Sequence, residues 1–196
     1  MKTNTVNAKC TASRKCSGCQ LKNLTYPEQL RLKQSKINKT LAGICNVERI
    51  VPAPAEFRYR NKASAVFFED RSKTVRWGIY QSATGEAAAV EKCLLQPQLA
   101  DDIFNTLAQL IKSFKVRIYN HQTKKGFLRS ATVRVAEATG RVMVTLVTNE
   151  GEFHKENQFV NALVKKHSEI TTVVRSVYTG EAVIMNGEKE NTLFGE

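Results

Sequence analysis

The chain has 196 residues, 42% of them hydrophobic and 24% charged, enough to bury the core of one ordinary domain or slightly more. No run approaches the ~20 apolar residues of a membrane span, and the opening MKTNTVNAK has no apolar segment behind its lysines, so the sequence predicts a cytoplasmic protein without leader or anchor. The net charge of +12 is uneven: residues 1–64 carry 13 Lys and Arg against three acids, a net +10, whereas residues 65–196 carry 17 against 15. A basic excess confined to one third of the chain suggests a polyanion partner, most simply nucleic acid.

Residues 1–9 read as a loose tail. The stretch KCTASRKCSGCQ then places Cys10, Cys16 and Cys19 in a C-x5-C-x2-C arrangement rich in small residues. Thr25 with Glu28 three residues on forms a capping box, with Pro27 in the first turn, and predicts a helix to about Ala42. Tyr26, Leu30, Ile37 and Leu41 recur on one face of it, Arg31, Lys33, Lys36 and Lys39 sit mostly off that face, and Gly43 ends it. VPAPAEF is a proline-punctuated connector.

Strand signals start at Tyr59. ASAVFF and TVRWGIY flank the polar turn Glu69–Lys73 and predict a hairpin, with Phe67, Phe68 and Trp77 in the core. A helix over Pro97–Phe114 carries Leu99, Ile103, Leu107, Leu110, Ile111 and Phe114 on one stripe. FLRSATVRVAEA and RVMVTLVT read as a second hairpin, Glu156–His167 as a third helix, and ITTVVRSVY and EAVIMNGE as two further strands; GEKENTLFGE begins another strand-like pattern. The predicted class is α+β: a mainly antiparallel sheet with flanking helices behind an N-terminal cysteine loop. The divisions are a tail over 1–9, cluster loop, basic helix and connector over 10–64, and an α+β domain over 65–196.

Five cysteines in a cytosolic chain argue for metal or redox chemistry over disulfides. Two thiolates two residues apart can reach one centre, but three do not close a tetrahedral zinc site or a cubane. Of the remaining two, Cys45 in GICNVERI reads as an ordinary buried thiol. Cys93 in KCLLQP stands at a junction between strand and helix and is taken as the fourth ligand. A three-plus-one pattern favours an iron–sulfur cluster over zinc, but spacing alone does not decide between them. Arg58, Tyr59, Arg60, Asn61 and Lys62 interleave cations, an aromatic and an amide; in an extended strand Arg58, Arg60 and Lys62 would line one groove. They could hold RNA or brace the cysteine loop. Lys124, Lys125 and Arg129 around Gly126 form a second basic turn.

KCTASRKCSGCQ, FRYRNKA (Phe57–Ala63), KCLLQP and KKGFLRSATVR (Lys124–Arg134) together resemble the bacterial RNA uracil-5-methyltransferases, the RumA-like group that makes 5-methyluridine in 23S ribosomal RNA. The resemblance runs from about Lys9 to Glu196. It implies that Cys10, Cys16, Cys19 and Cys93 hold a 4Fe–4S cluster with a folding and RNA-binding role. It also implies a central domain that shapes the RNA-binding surface, and a helix after the cluster loop that packs partly against the catalytic domain. The family's S-adenosylmethionine loop, nucleophilic cysteine and carboxylate base match nothing between Met1 and Glu196. No catalytic residue is therefore assigned. The chain is expected to be a monomer that alone transfers no methyl group and relies on a methyltransferase domain in cis or in trans. The competing readings are a free-standing iron–sulfur RNA-binding protein and a zinc-binding RNA module.

Overall fold

The computed structural model describes residues 9, 10, 12, 16–80, 86–180, 187 and 189–195. Its strands are β1 (Lys62–Glu69), β2 (Val75–Tyr80), β3 (Ala87–Ala89), β4 (Leu128–Val135), β5 (Val142–Thr148), β6 (Ile170–Val177) and β7 (Lys189–Phe194). The helices are α1 (Tyr26–Thr40), α2 (Gln98–Ser113) and α3 (Glu156–Lys166). All seven strands share one sheet in the order β3-β2-β1-β4-β5-β6-β7.

Both expected hairpins form. Asp70 closes the first: its carboxylate accepts the Ser72 and Thr74 N–H groups at 2.9 and 3.0 Å and the Ser72 hydroxyl at 2.6 Å. This fixes a register that pairs Glu69 with Val75 and Val66 with Gly78. β4 and β5 form the second, with Ala131 opposite Leu146. Five of the six pairings are antiparallel, as the expected class has it, and one is parallel. β5 and β6 run parallel, with Val144 beside Val173, because α3 lies between them and a strand–helix–strand crossover returns the chain in the same direction. The short β3 carries only three alanines and gives no strand signal in the sequence. The strand expected at EAVIMNGE falls on residues 181–186 and 188, outside the described residues, whereas ENTLF does form β7 against β6.

Side-chain alternation sends Ala63, Ala65 and Phe67 of β1 and Val75 and Trp77 of β2 into one core with Ile103, Phe104, Leu107 and Ile111 of α2 and Phe159 and Leu163 of α3. The Trp77 and Phe104 rings lie 5.1 Å apart, and the indole Nε1–H donates to Asn105 Oδ1 at 2.7 Å. Phe68, expected in the core, is one residue out of phase with that face and only half-buried.

α1 stands apart. Its capping box forms, with Glu28 Oε2 accepting the Thr25 N–H at 2.7 Å and the Thr25 hydroxyl at 2.6 Å. None of its residues is buried, and none belongs to the core. The face expected to be apolar leaves Ile37 45% exposed, and Leu32 is 47% exposed. The chain returns along the helix instead: Ile50 N–H donates to Gln34 Oε1 at 2.6 Å, and Ala53 N–H donates to the Tyr26 hydroxyl at 2.6 Å. No described helix is long and apolar enough to cross a membrane.

Candidate cluster site and nucleic-acid interface

The structure brings the four nominated thiols into one neighbourhood. Burial pushes the Cys19 thiol up, and Cys93, Cys16 and Cys10 each push it further, while Arg60 pulls it back. Cys93 is likewise raised by burial and opposed by N–H groups of Leu95 and Gln96 directed at its sulfur, with Asp101 raising and Arg60 lowering it. Gly18 N–H donates to Cys16 Sγ at 3.3 Å. Backbone donors on Cys16 and Cys93 and the Arg60 cation near Cys19 and Cys93 favour the thiolate form, against a burial that favours the thiol. Four such groups are the donor set of a cubane or a tetrahedral zinc site. As placed, no three ligating side chains among the described residues are already gathered at metal-binding distance, so the thiols converge without forming a closed site. Cys45 is exposed beside an Ile44 that is 76% exposed, which corrects its reading as a buried thiol, because the chain past α1 runs over the surface.

Cys93 is held by a network that sequence reasoning missed. Asp101, in the first turn of α2, is 0% exposed. Its carboxylate accepts the Cys93 N–H at 3.1 Å, Gln96 Nε2 at 2.7 Å and Arg58 Nη1 at 2.8 Å. The same Arg58 nitrogen donates to the Cys93 and Gln96 carbonyls at 2.7 and 2.8 Å. The Cys93 residue is thereby tied at both its N–H and its C=O. The available signal was an acid on the stripe side of α2, one helical turn from Phe104, where burial demands a partner.

Arg58 therefore does not line a groove with Arg60 and Lys62. Its backbone is left-handed (φ 60°), which interrupts strand alternation, and β1 starts only at Lys62. Residues 58–60 run instead beside 94–95, through Arg58 N–H to Leu94 O at 2.7 Å and Arg60 N–H to Leu95 O at 3.0 Å. Tyr59, Arg60, Asn61 and Lys62 are exposed, Tyr59 to 54%.

A cleft of about 550 Å³ opens directly beside the cysteine loop. Lys22, Lys33 and Arg60 supply its cations, and Tyr26, Phe57 and Tyr59 its rings. Lys22 also caps the loop, donating from Nζ to the Cys16 carbonyl at 3.0 Å. Lys9 stands over the Phe57 ring at 4.8 Å. Cations beside exposed rings can hold a phosphate and stack an unpaired base at once.

The second basic turn divides differently from its sequence pattern. Lys124 and Lys125 are exposed at its tip. Arg129 lies in β4, 6% exposed, with its guanidinium 4.1 Å from the Tyr119 ring centroid and 4.8 Å from that of Tyr178. It donates to Asn149 Oδ1 at 2.8 Å, and Asn149 Nδ2 in turn donates to the Gly126 carbonyl at 2.9 Å. Arg129 braces the turn from beneath.

Curated proteins similar to this chain are named as RNA methyltransferases. An uncharacterized RNA methyltransferase of Clostridium tetani is 29% identical over 197 residues, covering 98% of this chain and 43% of its own length. Counterparts from Clostridium acetobutylicum and Staphylococcus epidermidis are 28% and 27% identical, covering 95% and 97% of this chain and 42% and 43% of their own lengths. The chain spans less than half the length of the curated relatives it matches. Among solved structures, the Pyrococcus abyssi tRNA (uracil-54, C5)-methyltransferase in complex with S-adenosyl-L-homocysteine is similar with a TM-score of 0.75 and 25% identity. That likeness covers 93% of this chain and 41% of the archaeal one. No protein-family model matches.

Proposed function

We propose that this chain is the RNA-binding, 4Fe–4S-carrying part of a cytoplasmic, S-adenosylmethionine-dependent RNA uracil-5-methyltransferase of the RumA-like group. The observation that carries the reading is the convergence of Cys10, Cys16 and Cys93 on Cys19, which lines a basic, aromatic cleft, in a chain similar over nearly its whole length to proteins named as RNA methyltransferases. The cluster, when bound, supplies a cross-link: it ties the loop before α1 to the loop before α2. Lys33 and Arg60 hold phosphates, Tyr59 stacks on an unpaired base, Asn61 and Lys62 extend the contact, and Lys124 and Lys125 hold a further part of the RNA. S-adenosylmethionine binding and methyl transfer belong to the part of the enzyme outside the matched segment, acting on a uridine drawn out of its stack. Leu32 and Ile37 on α1 give that part an apolar surface to rest on. The resemblance favours 23S ribosomal RNA as substrate. The archaeal neighbour favours transfer RNA as the second reading.

The test has two arms. Anaerobically purified protein is expected to be brown and to carry four irons per chain, as a cubane requires; a colourless protein with one zinc overturns the cluster assignment. RNA binding is expected to weaken with salt, and the double substitution Lys33→Ala/Arg60→Ala is expected to reduce the slope by about 1.4, at about 0.7 per phosphate contact on single strands. An unchanged slope overturns the assignment of this cleft. Ribosomal and transfer RNA fragments compared in the same assay separate the two substrates. The chain by itself is expected to transfer no label from S-adenosylmethionine.

A further inference from the structure

The face of the sheet turned away from α2 and α3 carries a second cleft, of about 720 Å³, within the range of small-ligand sites. Its floor is Phe68 of β1 and Tyr80 of β2, and its outer wall is the segment that leads into β4. That wall is rigid. Tyr119 N–H donates to Leu128 O at 2.8 Å, Asn120 N–H to Lys125 O at 2.7 Å, and Phe127 N–H to Arg117 O at 2.9 Å. The Asn120 carboxamide closes the tip, accepting the Gln122 and Thr123 N–H groups at 2.9 Å each. Gly126 (φ +122°) lies so near the Ile118 carbonyl that any Cβ would collide with it.

The wall presents two exposed cations, Arg117 and Lys125, and two rings, the partly buried His121 and the buried Tyr119. The imidazole meets the Tyr80 ring at 6.1 Å between centroids, tilted by 57°. Its Nδ1 is buried and has no hydrogen-bond partner. An unpaired polar atom at a cleft wall is one that a ligand can satisfy after a small turn of the ring. Glu69 and Glu86 line the sheet side, and Glu69 faces Lys73 at 3.7 Å. The cleft thus has a basic wall and an acidic one, an asymmetry that would direct a phosphate toward the loop and a base toward the rings.

We propose that this cleft binds one unpaired ribonucleotide of the RNA substrate, with its base against Tyr80 and His121 and its phosphate on Arg117 and Lys125. The inference rests on the reading of the chain as an RNA-binding protein, and adds a contact on a different face from the cysteine-side cleft. A preformed wall loses little conformational entropy on binding, which favours recognition of flexible single strands.

The full chain is titrated with short single-stranded RNA carrying photoreactive uridines, and the adducts are mapped by peptide sequencing. Adducts on Tyr80 or His121 are expected. Tyr80→Ala is expected to weaken binding about 5- to 150-fold, the equivalent of one lost base–aromatic stack, whereas Tyr80→Phe keeps the stack and the affinity. The exposed pair Arg117→Ala/Lys125→Ala leaves the core untouched and is expected to lower the salt slope by about 0.7 to 1.4. If adducts map only to Tyr59 and its neighbours, and the Tyr80 and Arg117/Lys125 variants bind like the parent, this site is refuted while RNA binding stands. If no RNA binds at all, both readings fall.

Discussion

Replacing Asp101 by alanine removes the one acceptor shared by the Arg58 guanidinium, the Cys93 N–H and the Gln96 amide. Breaking a buried ion pair from one side costs about 3–5 kcal/mol, because the surviving charge stays desolvated. The two partners differ in how much they would suffer: the Asp101 side chain is 0% exposed and that of Arg58 33%. After Asp101→Ala the arginine still reaches water and the Cys93 and Gln96 carbonyls, so the loss lies near the low end, about 3 kcal/mol. After Arg58→Ala the carboxylate is left buried with amide donors alone, so the loss lies nearer about 4–5 kcal/mol. With a urea m-value of roughly 2–3 kcal/mol/M, Asp101→Ala should lower the unfolding midpoint by roughly 1–1.5 M, and Arg58→Ala by more, with m unchanged. The double variant closes a cycle whose coupling should exceed about 1 kcal/mol, since the two groups touch. Two results would refute this reasoning: coupling below about 0.5 kcal/mol, or Asp101→Ala proving the costlier single change.

Three further outcomes follow from other parts of the molecule. Cys93→Ser should abolish stoichiometric metal, whereas Cys45→Ala should leave metal content unchanged, since Cys45 is exposed and outside the thiol group; equal losses from both would remove Cys93 from the ligand set. Phe104→Ala, at a fully buried ring against Trp77, should cost about 3–5 kcal/mol and shift the emission of the chain's one tryptophan; an unperturbed spectrum would contradict the packing. His167 shares a hydrogen bond of 2.8 Å with Thr106, and burial lowers its pKa below the ordinary 6.5, against the pull of Glu169 and Asp102 and with a small push from Lys166. The folded state thus binds its proton less readily than the unfolded chain, so this contribution is complete above that ordinary value and is lost as pH falls through the folded one. His167→Gln should flatten the difference in urea stability between about pH 7.5 and about pH 5.5, and an unaltered difference would place the titration elsewhere.

What the sequence disclosed follows the range of the interaction responsible. The capping box at Thr25 and Glu28, the Asp70 turn and the stripe of α2 are local patterns, and each appears where its spacing puts it. That Cys10, Cys16, Cys19 and Cys93 share one neighbourhood was legible because thiols are rare and their chemistry narrow. The partners of Arg58 and Arg129 were not legible because a basic residue in a basic run looks the same whether it meets solvent or a buried partner. Arg58 finds Asp101 43 positions away, and Arg129 is enclosed by Tyr119 and Tyr178 from two different segments. The parallel pairing of β5 and β6 was implicit in the helix between them, yet strand patterns alone do not state direction.

Among the described elements α1 is the helix that adds nothing to the core, so metal binding by the four proposed ligands would be coupled to its folding. The helix contributes nothing to the core, and its return segment is held by side-chain bonds from Gln34 and Tyr26 at partly exposed positions. Isolated helices of this length are marginal in water, so α1 belongs to the low-stability end of the molecule. A metal joining Cys16 and Cys19 to Cys93 would fasten the base of this arm to the end of the sheet, converting binding energy into local order. In metal-free protein the amides of α1 should therefore exchange orders of magnitude faster than those of β4 and β5, and loading the metal should slow α1 while leaving β4 and β5 unchanged. Hydrogen exchange read by mass spectrometry measures both at once. Protection of α1 equal to that of β4 without metal would show that the arm is held by something other than the four thiols.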